Sequence, residues 1–241
     1  YSMSDKTADL YAFDSRFTGK SSAFKVTYEG KTYQFETRLA GRFNIYNTLG
    51  AIGAALSEGI SMETIAAAMK TFHSVPGRFE LIDEGQSFTV VVDYAHTPDG
   101  LEKILTTAQE ITKGRILVVF GCGGDRDKMK RPIMGRIAAR YADVAIVTSD
   151  NPRTEDPETI VKEVAAGVEE VKAEKPSLQV EVVVDRRSAI QKAISLAKGD
   201  DIVLIAGKGH EDYQILKDKT IHFDDREEAR KALNESGAAR F

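Results

Sequence analysis

From residue 77 onward, short apolar runs alternate with amphipathic stretches, and this alternation limits the chain to few folds. The runs at 116–120 and 202–205 contain apolar residues only, which is typical of strands covered on both faces of a sheet. The predicted strands are 79–83, 88–93, 115–120, 143–148, 179–184 and 201–206, and the predicted helices are 98–112, 128–141, 157–172, 186–197 and 225–235. Strands and helices of this length in alternation form parallel βαβ units. The pattern therefore predicts an α/β fold with a Rossmann-like, doubly wound, mostly parallel sheet.

A different pattern precedes residue 77. Residues 1–18 are polar and predict irregular structure. Apolar and polar residues alternate on either side of Glu29-Gly30, which predicts a β-hairpin. Small and apolar residues then recur at helical spacing, which predicts two helices, the second capped by Ser61. The predicted strands are 23–28 and 32–38, and the predicted helices are 44–57 and 62–72. The polar stretch His73–Gly77 separates the two patterns, so we expect two domains, 1–76 and 77–241.

Composition excludes several classes of protein. The 241 residues carry a formal net charge of −4, and a nucleic-acid or membrane-surface binder normally shows a basic patch. No apolar run approaches the roughly 20 residues of a membrane span. The single cysteine, Cys122, cannot form a disulfide within the chain, which fits a cytoplasmic protein. Four scattered histidines and one cysteine do not make a metal-ligand pattern, so we expect no metal site in the chain.

Four loops at the carboxyl ends of predicted strands carry polar, charged or glycine-rich residues. They are Asp93–Pro98, Gly121–Arg126, Ser149–Arg153 and Gly207–Glu211. In an open α/β sheet, ligands bind at this edge, so four such loops together indicate a binding site. Each loop alone has a structural explanation: 121–124 as a tight turn, 150–153 as a helix-entry turn, and 207–211 as a flexible connector.

The side chains of these loops suit a zwitterionic ligand. The guanidinium of Arg153 presents a fork of donors for a carboxylate, and Asn151 offers both a donor and an acceptor. Arg126 could reach back to an anion, and Glu211 could pair with an ammonium group. His96 and His210 also lie in these loops, although single loop histidines are more often surface residues than catalysts.

The segment Thr18-Gly19-Lys20-Ser21 looks like the end of a phosphate-binding P-loop but does not complete the pattern. The pattern requires glycine at position 14, where Asp14 stands, and a helix afterwards, where a strand is predicted. We therefore expect no P-loop in this chain.

Six short motifs together resemble the Mur ligases, in the same order and from about residue 40 to the C-terminus. Within that family, the resemblance is to the members that add the third amino acid of the peptide. The motifs are Gly41–Asn47, Pro76–Glu80, Asp93–Asp99, Gly124–Lys128, Asp150–Arg153 and Gly207–Glu211. Each motif alone is weak evidence, whereas the ordered set is highly specific.

The resemblance implies a three-domain, ATP-dependent ligase of peptidoglycan precursor synthesis. ATP and Mg²⁺ convert the carboxylate of a UDP-linked substrate to an acyl phosphate, and the amine of the incoming amino acid displaces the phosphate. The substrates implied are UDP-MurNAc-L-Ala-D-Glu and meso-diaminopimelate. Residues 1–76 would be the later part of the central ATP-binding domain, without its P-loop half, and 77–241 the complete C-terminal domain. The Mg²⁺ ligands would lie mainly outside this chain, and the full-length protein would be a monomer.

The resemblance also assigns site residues, although it identifies no catalytic residue. The residues implied to bind ATP are Asn44, Arg78, Asp93 and His96. The residues implied to bind the amino acid are Arg126, Asp150, Asn151, Pro152, Arg153, Gly207 and Glu211. An arginine at position 153 goes with diaminopimelate in this family, and the physical reason is that a bidentate Arg–carboxylate pair rewards the carboxylate that lysine lacks.

Two other interpretations remain open at this point. The chain could belong to a ligase of the same scaffold that adds another amino acid, such as lysine. It could also be a binding module without catalysis, which is what we expect of these 241 residues by themselves because they lack a triphosphate-binding loop.

Overall fold

The computed structural model describes residues 1–18, 21–72 and 74–237. They form two units, Tyr1–Val75 and Pro76–Phe241. Gly19 and Lys20, which belong to the P-loop-like segment, and His73, which belongs to the predicted domain boundary, lie outside the described residues.

The first unit is an antiparallel sheet with two helices. Its strands are β1 (Tyr11–Thr18), β2 (Ser21–Tyr28) and β3 (Lys31–Thr37), in that order across the sheet, and its helices are α1 (Arg42–Ser57) and α2 (Met62–Thr71). Glu29 and Gly30 both have positive φ, 47° and 74°, as the tight turn between β2 and β3 requires. Apolar residues of β2 and β3, including Phe24, Val26 and Phe35, form one core with Ile45, Leu49 and Ile52 of α1.

The prediction of irregular structure over residues 1–18 was wrong, because Tyr11–Thr18 forms strand β1 beside β2. The pairing shifts register between Phe13 and Arg16, and Asp14 has a φ of 50°. A bulge of this kind interrupts the two-residue alternation that identifies a strand in sequence. The predicted hairpin is therefore part of a three-stranded sheet.

The second unit has a six-stranded central sheet. Its strands are β4 (Glu80–Leu81), β5 (Thr89–Asp93), β6 (Ile116–Phe120), β7 (Val144–Val147), β8 (Gln179–Val182) and β9 (Ile202–Ala206). The order is β4-β5-β9-β6-β7-β8, with β4 antiparallel and the other neighbours parallel. The predicted α/β class with a mostly parallel sheet is confirmed.

Five helices and a small hairpin complete this unit. The helices are α3 (Pro98–Ile111), α4 (Lys130–Tyr141), α5 (Pro157–Lys172), α6 (Arg186–Leu196) and α7 (Asp225–Glu235), and the hairpin strands are β10 (Tyr213–Ile215) and β11 (Thr220–His222). Helices α6 and α7 pack together on one face of the sheet, and α3, α4 and α5 pack on the other. Every residue of β6 and β9 is buried, as strands covered on both faces must be.

The strand order determines where the loops lie. Strand β9 comes last among the strands of the sheet in the chain but lies between β5 and β6. The loops that follow β5, β9, β6 and β7 therefore stand side by side at the carboxyl edge. The loop after β9 is flanked by the other three, with β5 on one side and β6 and β7 on the other.

Candidate functional site

The loops after β7 and β9 are joined by side-chain contacts. Asn151 donates from Nδ2 to Oε2 of Glu211 at 2.9 Å and accepts at Oδ1 from Nζ of Lys208 at 3.0 Å. Lys208 also lies 3.3 Å from Oε2 of Glu211 and 4.0 Å from Oδ1 of Asp150. These four side chains form one polar cluster, which we call the β7–β9 cluster.

Lys208 is the member of this cluster that the sequence analysis missed. Its side chain is fully buried, and Nζ lies 5.6 Å from the ring centre of Tyr213. Burial lowers the pKa of the Lys208 ammonium, and nearby Asp150 opposes that effect. Because residues 207–209 are all buried, the interpretation of this loop as a flexible connector was wrong. The available signal was a lysine between two glycines directly after a buried strand.

Gly207 allows the two loops to approach each other closely. It has a φ of 123°, and a Cβ at this position would lie 2.6 Å from Oδ2 of Asp150. Only glycine combines that backbone conformation with so short a separation. Gly207 thus brings the chain against the Asp150 carboxylate.

Arg153 of the loop after β7 and Arg126 of the loop after β6 both lie close to Gly123. A Cβ on Gly123 would lie 2.8 Å from Nη1 of Arg153 and 3.8 Å from Cγ of Arg126. Arg153 donates to the carbonyl oxygen of Gly124 at 2.9 Å and has a φ of 54°. Arg126 is exposed and donates to the carbonyl of its neighbour Asp125. Two arginine side chains therefore lie close to the same glycine of the loop after β6.

The loops after β6 and β7 are held together by both backbone and side-chain hydrogen bonds. The amide of Gly124 donates to the carbonyl of Asn151 at 2.9 Å. Asp125 accepts from both the amide and the hydroxyl of Thr154. Glu155 accepts from the amide of Asp125 and from the buried Arg131. The Arg131 guanidinium is the main reason why the pKa of Glu155 falls to about 2.

Strand β10 fixes the loop after β7 from another direction. Gln214 is buried and donates to the carbonyl oxygen of Asp150 at 2.7 Å. The amide of Ile215 donates to Oδ1 of Asn151 at 3.0 Å, and the amide of Arg153 donates to the carbonyl of Ile215 at 3.1 Å. Residues 150–153 are therefore a rigid segment with defined partners.

A buried ion pair lies beneath the cluster. Arg186 and Asp225 are both fully buried, and Nε and Nη2 of Arg186 each lie 2.7 Å from a carboxylate oxygen of Asp225. Arg186 also donates to the carbonyls of Ser149 and Ala206 at 3.3 and 3.0 Å. These two carbonyls stand where the loops after β7 and β9 begin, so one guanidinium connects both.

The loop after β5 forms a second group of side chains. The Asp93 carboxylate accepts from the amides of Phe79 and Ala95, both at 2.7 Å, and burial raises its pKa. The guanidinium carbon of Arg78 lies 4.8 Å from the centre of the Tyr94 ring. His96 lies beside the same ring, with 4.6 Å between ring centres. The exposed side chains of Arg78 and His96 therefore both contact the Tyr94 ring.

The predicted residues therefore fall into four groups. Asp150, Asn151 and Glu211 are members of the β7–β9 cluster. Pro152, Arg153, Gly207 and Arg126 lie in the same or the adjoining loops. Arg78, Asp93 and His96 form the group after β5. Asn44 lies in the first unit, where it is buried in α1 and donates from Nδ2 to the carbonyl of Ala40.

The described residues contain neither a metal-binding cluster nor a membrane-spanning helix. Outside the masked positions 19–20, 73 and 238–241, no group of three or more His, Cys, Asp or Glu side chains is placed to hold a metal ion. In the same part of the chain, no helix is long and apolar enough to cross a membrane.

The fold and the cluster define a class of protein: an α/β domain with polar and charged side chains gathered at the carboxyl edge of a mostly parallel sheet. The family model "Mur ligase, glutamate ligase domain" matches residues 77–209, and "Mur ligase middle domain" matches residues 1–55. The chain therefore belongs to the Mur ligase family.

Several similar relatives share one name. The UDP-N-acetylmuramoyl-L-alanyl-D-glutamate–2,6-diaminopimelate ligase of Clostridium botulinum is 49% identical over 233 residues, covering 96% of this chain and 47% of the relative. The ligase of that name from Geobacillus kaustophilus is 50% identical over 237 residues, covering 98% and 47%. The chain thus spans about half the length of the relatives it matches.

Solved structures show the same similarity. A structure of a UDP-N-acetylmuramoyl-L-alanyl-D-glutamate–2,6-diaminopimelate ligase superposes with a TM-score of 0.74 and 37% identity, covering 98% of this chain and 47% of that one. The UDP-N-acetylmuramate–alanine ligase of Thermotoga maritima superposes with a TM-score of 0.67 at 18% identity, which shows a shared fold.

Proposed function

We propose that this chain is the amino-acid-binding part of an ATP-dependent ligase that joins meso-diaminopimelate to UDP-MurNAc-L-Ala-D-Glu through an amide bond. The names of the relatives support this substrate pair. The observation that carries the proposal is the β7–β9 cluster, with Arg153 in the same loop as Asn151 and Arg126 in the adjoining loop. These loops together carry charges of both signs, as a zwitterionic ligand requires.

The charges of the site match one end of an amino acid. Asp150 and Glu211 provide two carboxylates against the single ammonium of Lys208, which leaves one negative charge for a ligand ammonium group. Arg153 and Arg126, which both lie close to Gly123, provide positive charge for a ligand carboxylate. Diaminopimelate has an amine–carboxylate pair at both ends, whereas the second end of lysine has an amine without a carboxylate. If the site binds this second end, the arginines favour diaminopimelate over lysine because only diaminopimelate offers them a carboxylate there.

ATP is the second substrate that we propose for the complete enzyme, with Mg²⁺ as its partner ion. Exposed Arg78 and His96 suit the phosphates or the sugar of a nucleotide, and Asp93 orders their loops by accepting two backbone amides. Asn44 of the first unit is the remaining proposed ATP residue. ATP supplies activation of the acceptor's carboxylate as an acyl phosphate, and we propose that the chain presents the attacking amine. We also propose a cytoplasmic location and a monomeric full-length enzyme.

Calorimetry of the 241-residue chain tests the assignment of the amino acid. We expect meso-diaminopimelate to bind and L-lysine to bind at least about tenfold more weakly, because lysine leaves the arginines unpaired. Arg153→Ala should weaken diaminopimelate by about tenfold or more and bring the two ligands close to equal affinity. An Arg153→Ala variant with unchanged preference for diaminopimelate would contradict the assignment, and tighter binding of lysine to the unaltered chain would favour the lysine-adding alternative.

A ligation assay tests whether these residues act alone. The sequence contains no G-x-x-x-x-G-K-[ST] pattern, so we expect no phosphate release from ATP when the chain is supplied with both other substrates and Mg²⁺. A full-length relative in the same assay is the positive control. Turnover by the 241 residues would refute the view that they bind without catalysing.

A further inference from the structure

The proposed function uses Lys208 only as a positive charge that offsets one carboxylate, yet this side chain lies at the centre of the β7–β9 cluster. Burying an ammonium group is unfavourable unless hydrogen bonds and opposite charges compensate for the lost water. Here Asn151, Glu211 and Asp150 do so, at 3.0, 3.3 and 4.0 Å from Nζ. All three are residues that we assign to the amino acid.

The contacts of Lys208 determine which way the Asn151 carboxamide faces. Oδ1 of Asn151 accepts from Lys208 and from the amide of Ile215, both at 3.0 Å. Turning the carboxamide over would set its NH₂ group against two other donors. Nδ2 must therefore face Glu211, to which it donates at 2.9 Å.

The same lysine also orients Glu211. The hydrogen bonds from Asn151 and Lys208 both end on Oε2, so the carboxylate is held by one oxygen, and Oε1 is the oxygen for a ligand. Asp150 is the neighbouring carboxylate, and Arg186, a cation close to both carboxylates, is already paired with Asp225. Without Lys208, two adjoining carboxylates would repel each other and Glu211 would lose this orientation.

We propose that Lys208 is a positioning residue of the amino-acid site: it holds Asn151 and Glu211 in the orientation in which they receive the ammonium group of the incoming amino acid. The inference rests on the proposed function for the identity of the ligand. Lys208 acts through its two partners, from a fully buried position behind them.

The test is a double-mutant cycle in the 241-residue chain, with meso-diaminopimelate as the calorimetric probe. The variants are Lys208→Met, Glu211→Gln and the two combined, and the control is Lys103→Met, an exposed lysine of α3 paired with Asp99. We expect Lys208→Met and Glu211→Gln each to weaken binding by about tenfold or more. The combined variant should bind meso-diaminopimelate no more than about threefold more weakly than the weaker-binding single variant. The reason is that either substitution alone already removes the Lys208–Glu211 interaction. Lys103→Met should bind as the unaltered chain does.

A second measurement needs no ligand. Nuclear magnetic resonance of the Asn151 carboxamide should show slow hydrogen exchange in the unaltered chain and in Lys103→Met, and fast exchange in Lys208→Met. If Lys208→Met alone does not fold, the combined variant removes one charge of each sign, and its Asn151 exchange should be faster than in Glu211→Gln.

The outcomes separate the two hypotheses. Unchanged affinity in Lys208→Met, losses that multiply in the combined variant, or unchanged Asn151 exchange would each overturn the positioning role. If the unaltered chain does not bind diaminopimelate while Asn151 exchange responds as expected, the ligand assignment fails and the orientation of Asn151 by Lys208 stands.

Discussion

At the scale of single residues, the site depends on groups that the ligand would never contact. Arg186 and Asp225 are fully buried and pair through two hydrogen bonds, while Arg186 also binds the carbonyls at the start of two site loops. Gly207 provides the space in which one loop meets Asp150. Neither the ion pair nor the glycine would be identified as a ligand-binding side chain from the sequence. The contribution of each to the free energy of unfolding can be measured.

Removing one partner of the buried ion pair should destabilise the chain strongly. Asp225→Ala leaves the Arg186 guanidinium buried without its counter-charge, so we expect the free energy of unfolding to fall by about 3–5 kcal/mol. Urea denaturation of the second unit measures this. The control is Lys103→Ala, which removes an exposed pair and should change stability by no more than about 0.5 kcal/mol. A loss below about 1 kcal/mol in Asp225→Ala would mean that the pair is not structurally important.

Gly207→Ala should lower the free energy of unfolding more than the same substitution at Gly199. Gly199 also has a positive φ, but a Cβ there would meet nothing within 4 Å, so Gly199→Ala should cost about 1 kcal/mol of backbone strain. Gly207→Ala adds a clash with Asp150 Oδ2, and we expect a loss of about 2–4 kcal/mol. Equal losses at the two positions, measured by urea denaturation, would show that the close approach at 207 is relieved without cost.

At the scale of elements, the loops after β6 and β7 behave as one unit because charged groups connect them. Glu155 receives a backbone amide from the first loop and the buried Arg131 from α4. The Arg131 guanidinium is the largest cause of the depressed Glu155 pKa of about 2, against an ordinary value of 4.5. Because the folded pKa lies below the unfolded value, this contribution is present above pH 4.5 and is lost as the pH falls towards 2.

Glu155→Gln should therefore reduce the acid sensitivity of the chain. We expect the thermal midpoint of the unaltered chain to fall more steeply between pH 5 and pH 3 than that of the variant, since the variant has no carboxylate to protonate at this position. Above pH 5 the unaltered chain should be the more stable of the two. Parallel curves over this range would show that the Arg131–Glu155 contact does not contribute to stability.

At the scale of the whole molecule, the two units have separate cores. The core of the first unit is formed by residues between Leu10 and Ile65, whereas the main core of the second is formed by residues between Ile82 and Leu233. Every residue that we assign to the amino acid belongs to the second unit. The binding site should therefore be independent of the first unit, even though the proposed ATP residues are divided between the two.

Residues 76–241 expressed alone should fold and bind meso-diaminopimelate with an affinity within about threefold of the 241-residue chain. Calorimetry of both forms under the same conditions gives the comparison, and circular dichroism verifies folding. A tenfold loss on removal of residues 1–75 would show that the site depends on the first unit, contrary to this expectation.

Local pattern was enough to predict most elements. Helices α5 and α7 lie at the predicted positions, 157–172 and 225–235, because each has a clear N-cap, Asp156 or Asp224, and a periodic apolar face. Strand β1 was not predicted, since its bulge removes the alternation that local pattern relies on. The four loops were predicted as a site, but Lys208 in one of them was assigned no role.

By itself, the sequence determined the alternation of strands and helices, the α/β class and the motifs of the Mur ligase family, because each of these depends on neighbouring residues. Only the tertiary structure decided that β9 lies between β5 and β6. That placement brings Lys208 to Asn151 across 57 positions of the chain. Periodicity reports how buried a residue is and not which distant strand lies beside it, so the role of Lys208 became visible only when the sheet was assembled.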